Sequence, residues 1–109
     1  MKPQIDIVRC FIEHPDYFQG AGADIFVGMG DTALSALDDA IELCASNGQD
    51  SEGEDLPDDI EWPGRTDQEA ILREAGCNLD YALSEDPDYA GNGEDYNDAS
   101  IYLLIKVYV

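Results

Sequence analysis

Carboxylates are the groups whose number and spacing could do chemistry in this chain. Its 109 residues carry 25 Asp and Glu against five Lys and Arg, for a formal charge of −20. Fourteen of the 25 acids fall in two stretches, residues 50–61 and 80–98, and neither stretch contains a basic residue. Residues two apart on an extended chain lie about 6.6–6.8 Å apart on one face, and helical neighbours one turn apart about 5–6 Å at Cβ. Both spacings approach the roughly 6–7 Å between phosphates along one nucleic-acid strand. Pairs such as Asp38/Glu42, Glu52/Glu54 and Asp86/Asp88 therefore suit a Lys/Arg-lined channel that normally holds phosphates. The expected partner-binding set is Asp38, Asp39 and Glu42; Asp50, Glu52, Glu54, Asp55, Asp58, Asp59 and Glu61; and Glu85, Asp86, Asp88, Glu94, Asp95 and Asp98. Tyr89 and Tyr96 add rings that arginine faces can stack on.

Other chemistries find less support. His14 is the sole histidine and sits beside Pro15 at a strand end, with no Ser or Cys partner readable in sequence. Asp50, Glu52, Glu54, Asp58 and Glu61 follow an EF-hand-like register, but Asp55 stands where the turn needs glycine and Pro63 blocks the following helix. Cys10, Cys44 and Cys77 are odd in number, far apart and without C-x-x-C spacing, which disfavours zinc and disulfides and fits a reducing cytoplasm. Residues 16–23 contain glycines but no phosphate-binding motif, so a hairpin or plain loop is expected. We therefore expect no enzyme, no metal and no cofactor.

The charge excludes partners as well. Nucleic acid and anionic membranes both require a basic footprint, so neither is expected to bind directly. A basic nucleic-acid-binding protein is the favoured partner, and the chain would then act as an acidic nucleic-acid mimic of the anti-restriction or anti-CRISPR type. Acidity adapted to high internal salt is the alternative. The sequence leaves the oligomeric state open, homodimer included. No apolar run matches a signal peptide or a membrane span.

These acids must be positioned by a small fold. Residues 30–48 form the clearest helix, expected over 33–46. Asp31 or Thr32 caps its start, Leu34, Leu37, Ile41 and Cys44 form the stripe, Ala33, Ala36, Ala40 and Leu43 widen it, and Gly48 stops it. Residues 5–13 read as an inner strand, because apolar residues occupy both parities. Residues 24–29 form a second strand with Ile25, Val27 and Met29 on one face, and Gly28 and Gly30 permit a bulge or turn. Residues 100–109 form a long buried strand. Leu56, Ile60 and Trp62 pin an irregular acidic loop at about 49–65, and a second acidic loop covers about 84–99. Thr66 opens a capping box for a short helix using Ala70, Ile71 and Ala75, and residues 79–83 form a brief strand or turn. The expected architecture is one α+β domain over 1–109: a three- to four-stranded, mainly antiparallel sheet with the main helix on one face and a second short helix.

Pro15-Asp16, Gly30-Asp31-Thr32 and the acidic, alanine-rich 36–42 segment resemble the N-terminal region of HicB-type antitoxins, over about a quarter of the chain. The resemblance implies a small α+β module that sequesters a basic toxin. The longer glycine loop and the two acidic insertions depart from that family's pattern, and no basic DNA-binding segment is attached.

Self-repulsion at this charge opposes compactness, so moderate NaCl should raise the melting temperature by screening. About 1 kcal/mol of relieved repulsion corresponds to roughly 4–8 °C in a domain near this size. Thermal melts from dilute buffer to molar salt check this, and a chain that folds only in molar salt would indicate halophilic adaptation.

Overall fold

The structure, a computed structural model, describes residues 1–14, 16–77 and 100–109. In chain order it contains β1 (Gln4–Glu13), β2 (Phe26–Gly30), α1 (Ala33–Asn47), α2 (Arg65–Glu74) and β3 (Ser100–Tyr108). The class is α+β, with a three-stranded antiparallel sheet, one main helix and a second short helix. The strand or turn expected at 79–83 and the second acidic loop, with Glu85, Asp86, Asp88, Tyr89, Glu94, Asp95, Tyr96 and Asp98, lie outside the described residues.

The strand order is β1-β3-β2, which puts the most apolar strand in the centre. Ile101, Leu103, Ile105 and Val107 are fully buried on the face that meets α1. Tyr102 and Leu104 are buried on the opposite face. A strand buried on both faces takes the central position, where β1 and β2 flank it.

β1 is an outer strand of this sheet, not the inner one expected. Its two-parity pattern comes from a bulge. Ile5 and Ile7 oppose Val107 and Ile105, the register then slips between Ile7 and Arg9, and Cys10 and Ile12 oppose Leu103 and Ile101. The extra residue, Val8, resets the alternation so that all four partly buried side chains pack on the core face. Arg9 and Phe11 take the other face, with the guanidinium carbon 4.2 Å from the ring centroid.

The connection from β1 to β2 is not a hairpin, because β3 lies between them. It carries Phe18 onto the second face of the sheet, where the ring stacks on Tyr102 at 4.4 Å and 12°. Phe11 completes the group, 5.7 Å from Tyr102 and 6.1 Å from Phe18.

α1 starts where expected. Thr32 Oγ1 accepts the Ser35 N–H at 3.1 Å, and Ser35 Oγ accepts the Thr32 N–H at 3.2 Å, which closes a reciprocal cap. Its buried face is Ala33, Ala36, Leu37, Ala40, Ile41 and Cys44, while Leu43 is half exposed. The small residues mark the line of contact. β2 starts two residues later and ends one residue later than expected; Phe26, Gly28 and Gly30 oppose Ile105, Leu103 and Ile101 on the α1 face, and Met29 points outward. A Cβ at Gly28 would collide with the Ala36 carbonyl oxygen and the Ala40 nitrogen, so the helix lies directly on the strand backbone. Close approach is therefore the reason for glycine here, not a turn.

α2 also departs in detail. Gly64 is its N-cap, with no side-chain cap, and Leu72 and Gln68 are its buried residues, whereas Ala70 and Ala75 are exposed. Thr66 lies inside the first turn, so the capping-box pattern does not operate.

Gly28→Ala should therefore cost at least the roughly 1–3 kcal/mol of overpacking, because the obstructing atoms are backbone. Leu37→Ala, which leaves a cavity instead, should cost about 2–5 kcal/mol. Urea midpoints check both, and a Gly28→Ala variant as stable as the parent would contradict the close approach.

Candidate partner-docking surface

The acidic segment after α1 is held by its own backbone. Gly48, at φ 79°, ends the helix in the left-handed region and donates its N–H to Cys44 O at 3.2 Å. The chain then doubles back. Gln49 bridges Asp55, the Asp50 N–H donates to Glu54 O at 2.9 Å, and the Leu56 N–H donates to Gly48 O at 3.0 Å. Leu56 and Trp62 pack against the core as anchors, and Ile60 is half-buried.

Asp50 is the centre of this loop. It is 5% exposed. Its Oδ1 accepts the Glu52 and Glu54 N–H groups at 2.8 and 2.9 Å, and its Oδ2 accepts the Val109 N–H at 3.0 Å. Burial alone pushes the carboxyl up, but the N–H groups of Val109, Glu54, Glu52 and Gly53 outweigh it and hold it below the usual range. Ser51 completes the junction: its N–H donates to Val107 O and its Oγ accepts the Val107 N–H, both at 2.8 Å. The loop thus occupies the edge of β3 beyond the reach of β2.

The remaining loop carboxylates are exposed, although Asp55 Oδ1 accepts from Gln49 Nε2 at 3.2 Å and Asp59 lies 3.9 Å from the N-terminal ammonium. Glu52, Glu54, Asp55, Asp58, Asp59 and Glu61 are all exposed on this ordered backbone. The Glu61 N–H donates to Met1 O at 2.7 Å, which ties the far end of the loop to the start of β1. On α1, Asp38, Asp39 and Glu42 are exposed, but two of them have internal partners. Asp39 Oδ2 accepts the Met29 N–H at 3.0 Å, and Asp38 Oδ1 lies 3.4 Å from Gln68 Nε2. Gln68 also donates to Pro63 O at 3.1 Å, at the edge of an open cleft of about 550 Å³ between the starts of α1 and α2.

Two expectations change. Asp50 leaves the docking set, because backbone N–H groups consume its carboxylate. Glu52 and Glu54 flank a turn through Gly53 (φ 84°) instead of lying on an extended strand, so the two-residue spacing does not apply to them. Asp38 and Glu42 do sit one helical turn apart.

The EF-hand-like register fails in space because its first ligand position, Asp50, is turned inward. Among the described residues, no three His, Cys, Asp or Glu side chains converge as metal ligands would. His14 is buried, and its Nδ1 accepts the Asp16 N–H at 3.1 Å. Cys44 is pushed up to about 11 by burial and then by Asp50. Cys10 is pushed up to about 12 by burial and then by Cys77, a neighbour that sequence separation hid. Both thiols stay protonated at neutral pH. Two bases pair with acids outside the loop: Lys106 Nζ lies 3.1 Å from Asp24 and holds that exposed carboxyl below its usual range, and Arg65 Nε lies 3.4 Å from Glu69. Among the described residues, no helix is long and apolar enough to cross a membrane.

Comparison with protein-family models, curated proteins and solved structures finds no match to this chain.

Asp50→Asn should lower stability by about 1–3 kcal/mol at pH 7, because a neutral amide replaces a buried acceptor of several N–H groups. The folded pKa of Asp50 is lowered, so its contribution is present above the unfolded value of 3.8 and lost as pH falls through the folded one. The gap between parent and variant in urea melts should therefore start to narrow below about pH 4 and close once pH passes the lowered folded value. A gap that persists there would mean the charge is not what the N–H groups hold.

Proposed function

We propose that this chain is a nucleic-acid-mimicking inhibitor of the anti-restriction or anti-CRISPR type. It would act by occupying the basic nucleic-acid-binding surface of a DNA- or RNA-handling protein in the cytoplasm. One observation carries the reading. Six carboxylates, Glu52, Glu54, Asp55, Asp58, Asp59 and Glu61, project from a backbone already fixed by Asp50, Ser51 and Leu56. Ordering a residue costs about 1–2 kcal/mol. Folding meets that cost for this loop, so docking does not. A merely solvated acidic face has no need of such ordering. Asp38 and Glu42 extend the carboxylate surface along α1. Mimicry requires no metal, cofactor or nucleophile, only complementarity to Lys and Arg and exclusion of the competing phosphates.

The test uses a basic partner recovered from host lysate, with duplex DNA or RNA as competitor. Binding should weaken as salt rises and should be mutually exclusive with nucleic acid. Neutralising Glu52, Glu54, Asp55 and Asp58 to Gln or Asn should weaken it about tenfold more than neutralising Asp6, Asp16, Asp31 and Glu74, although both variants lose the same formal charge. Equal losses would reduce the effect to bulk electrostatics. A complex that still admits its nucleic acid would remove the mimic reading and favour an antitoxin-type module.

A further inference from the structure

We propose that the cleft beside Trp62 is an anchor pocket for one arginine side chain of the basic partner. The assignment rests on the mimic reading above and adds a specific point of attachment to it. The cleft holds about 330 Å³, at the small end of ligand-sized pockets, which run from roughly 300 to 1,000 Å³. Its apolar lining is Pro3, Trp62, Pro63 and Ile71, and the exposed Glu61 and Asp67 line it as well. Trp62 and Ile71 are partly buried against the core, so the wall is rigid. The Glu61 N–H bond to Met1 O holds Pro3 beside the tryptophan.

This combination selects a guanidinium. Its flat face stacks on an indole, its edge presents a fork of donors to carboxylates, and its weak hydration makes partial burial cheap. An ammonium is a compact, strongly hydrated charge that gains less from the apolar wall. A phosphate or an anionic headgroup would face two carboxylates. Lys2 also borders the cleft, and its like charge opposes an incoming arginine. Charge complementarity, not area, therefore identifies the occupant, and the two exposed acids do so without a change in fold.

Trp62 is the sole tryptophan in the chain, so its emission reports the surroundings of this one side chain. Unlabelled hexa-arginine is titrated while Trp62 fluorescence is followed, and labelled hexa-arginine is followed in parallel by anisotropy, which reports binding anywhere. The two midpoints should coincide, and hexalysine should bind about fivefold more weakly. Glu61→Gln with Asp67→Asn should weaken the tryptophan response about tenfold. Asp16→Asn with Asp31→Asn removes the same charge from exposed positions outside the cleft and should weaken it by no more than about twofold. Lys2→Ala should tighten binding. Anisotropy that saturates while Trp62 emission stays unchanged would overturn the pocket and leave the mimic reading standing. Equal losses in the two double variants, weaker binding in Lys2→Ala, or an equal response to an uncharged proline-rich peptide would each overturn the arginine assignment. Failure of the mimic reading would show separately, in the nucleic-acid competition.

Discussion

The distance between α1 and β2 governs the rest of the structure. With no side chain at Gly28, Ala36 and Ala40 rest on the strand backbone, and the larger Leu37, Ile41 and Cys44 are free to fill the space over β3. A wider separation would leave Leu103 and Ile105 facing a gap. The same seating decides where α1 ends. Gly48 emerges beside the far end of β3, and Asp50 and Ser51 can therefore reach Val109 and Val107. A contact between two of the smallest residue types thus sets the position of the acidic loop.

Attractive pairing contributes little to holding this charge together. The Lys106–Asp24 and Arg65–Glu69 bridges are exposed, and such pairs are typically worth about 0–1 kcal/mol. One fully buried leucine outweighs that. The fold instead turns one acid inward. A carboxylate that accepts several N–H groups organises a turn which otherwise has few apolar residues to order it, and its neighbours stay in water. Acidic composition and local order are compatible here because a single carboxylate serves as the loop's core.

Much of the fold was legible because it follows from periodicity. The α1 stripe, its Thr32 cap and Gly48 stop, and the buried character of β3 are local properties of the chain. The misreadings have one common source, which is that alternation cannot report a register slip or a neighbour distant in sequence. Val8 made an outer strand resemble an inner one, and the glycines of β2 resembled turn residues until the helix was placed against them. The acidic surface was visible as composition, but not the inward turn of Asp50, since an Asp with backbone partners looks like any other Asp. The cleft at Trp62 was hidden for the same reason: nothing in the sequence brings Lys2 and Pro3 beside residues 61–63.

The central position of β3 also shapes how this fold is reached. Among the described residues β1 and β2 pair with β3 and not with each other, so this sheet cannot form until residues 100–108 have been made. Synthesis proceeds from the N-terminus, and pairings between distant residues carry a loop-closure cost before they contribute anything. Until then the apolar faces of β1, β2 and α1 lack the cover of β3 on a nascent chain with a large negative charge. Mutual repulsion, a handicap in the folded state, opposes association between such chains during that interval.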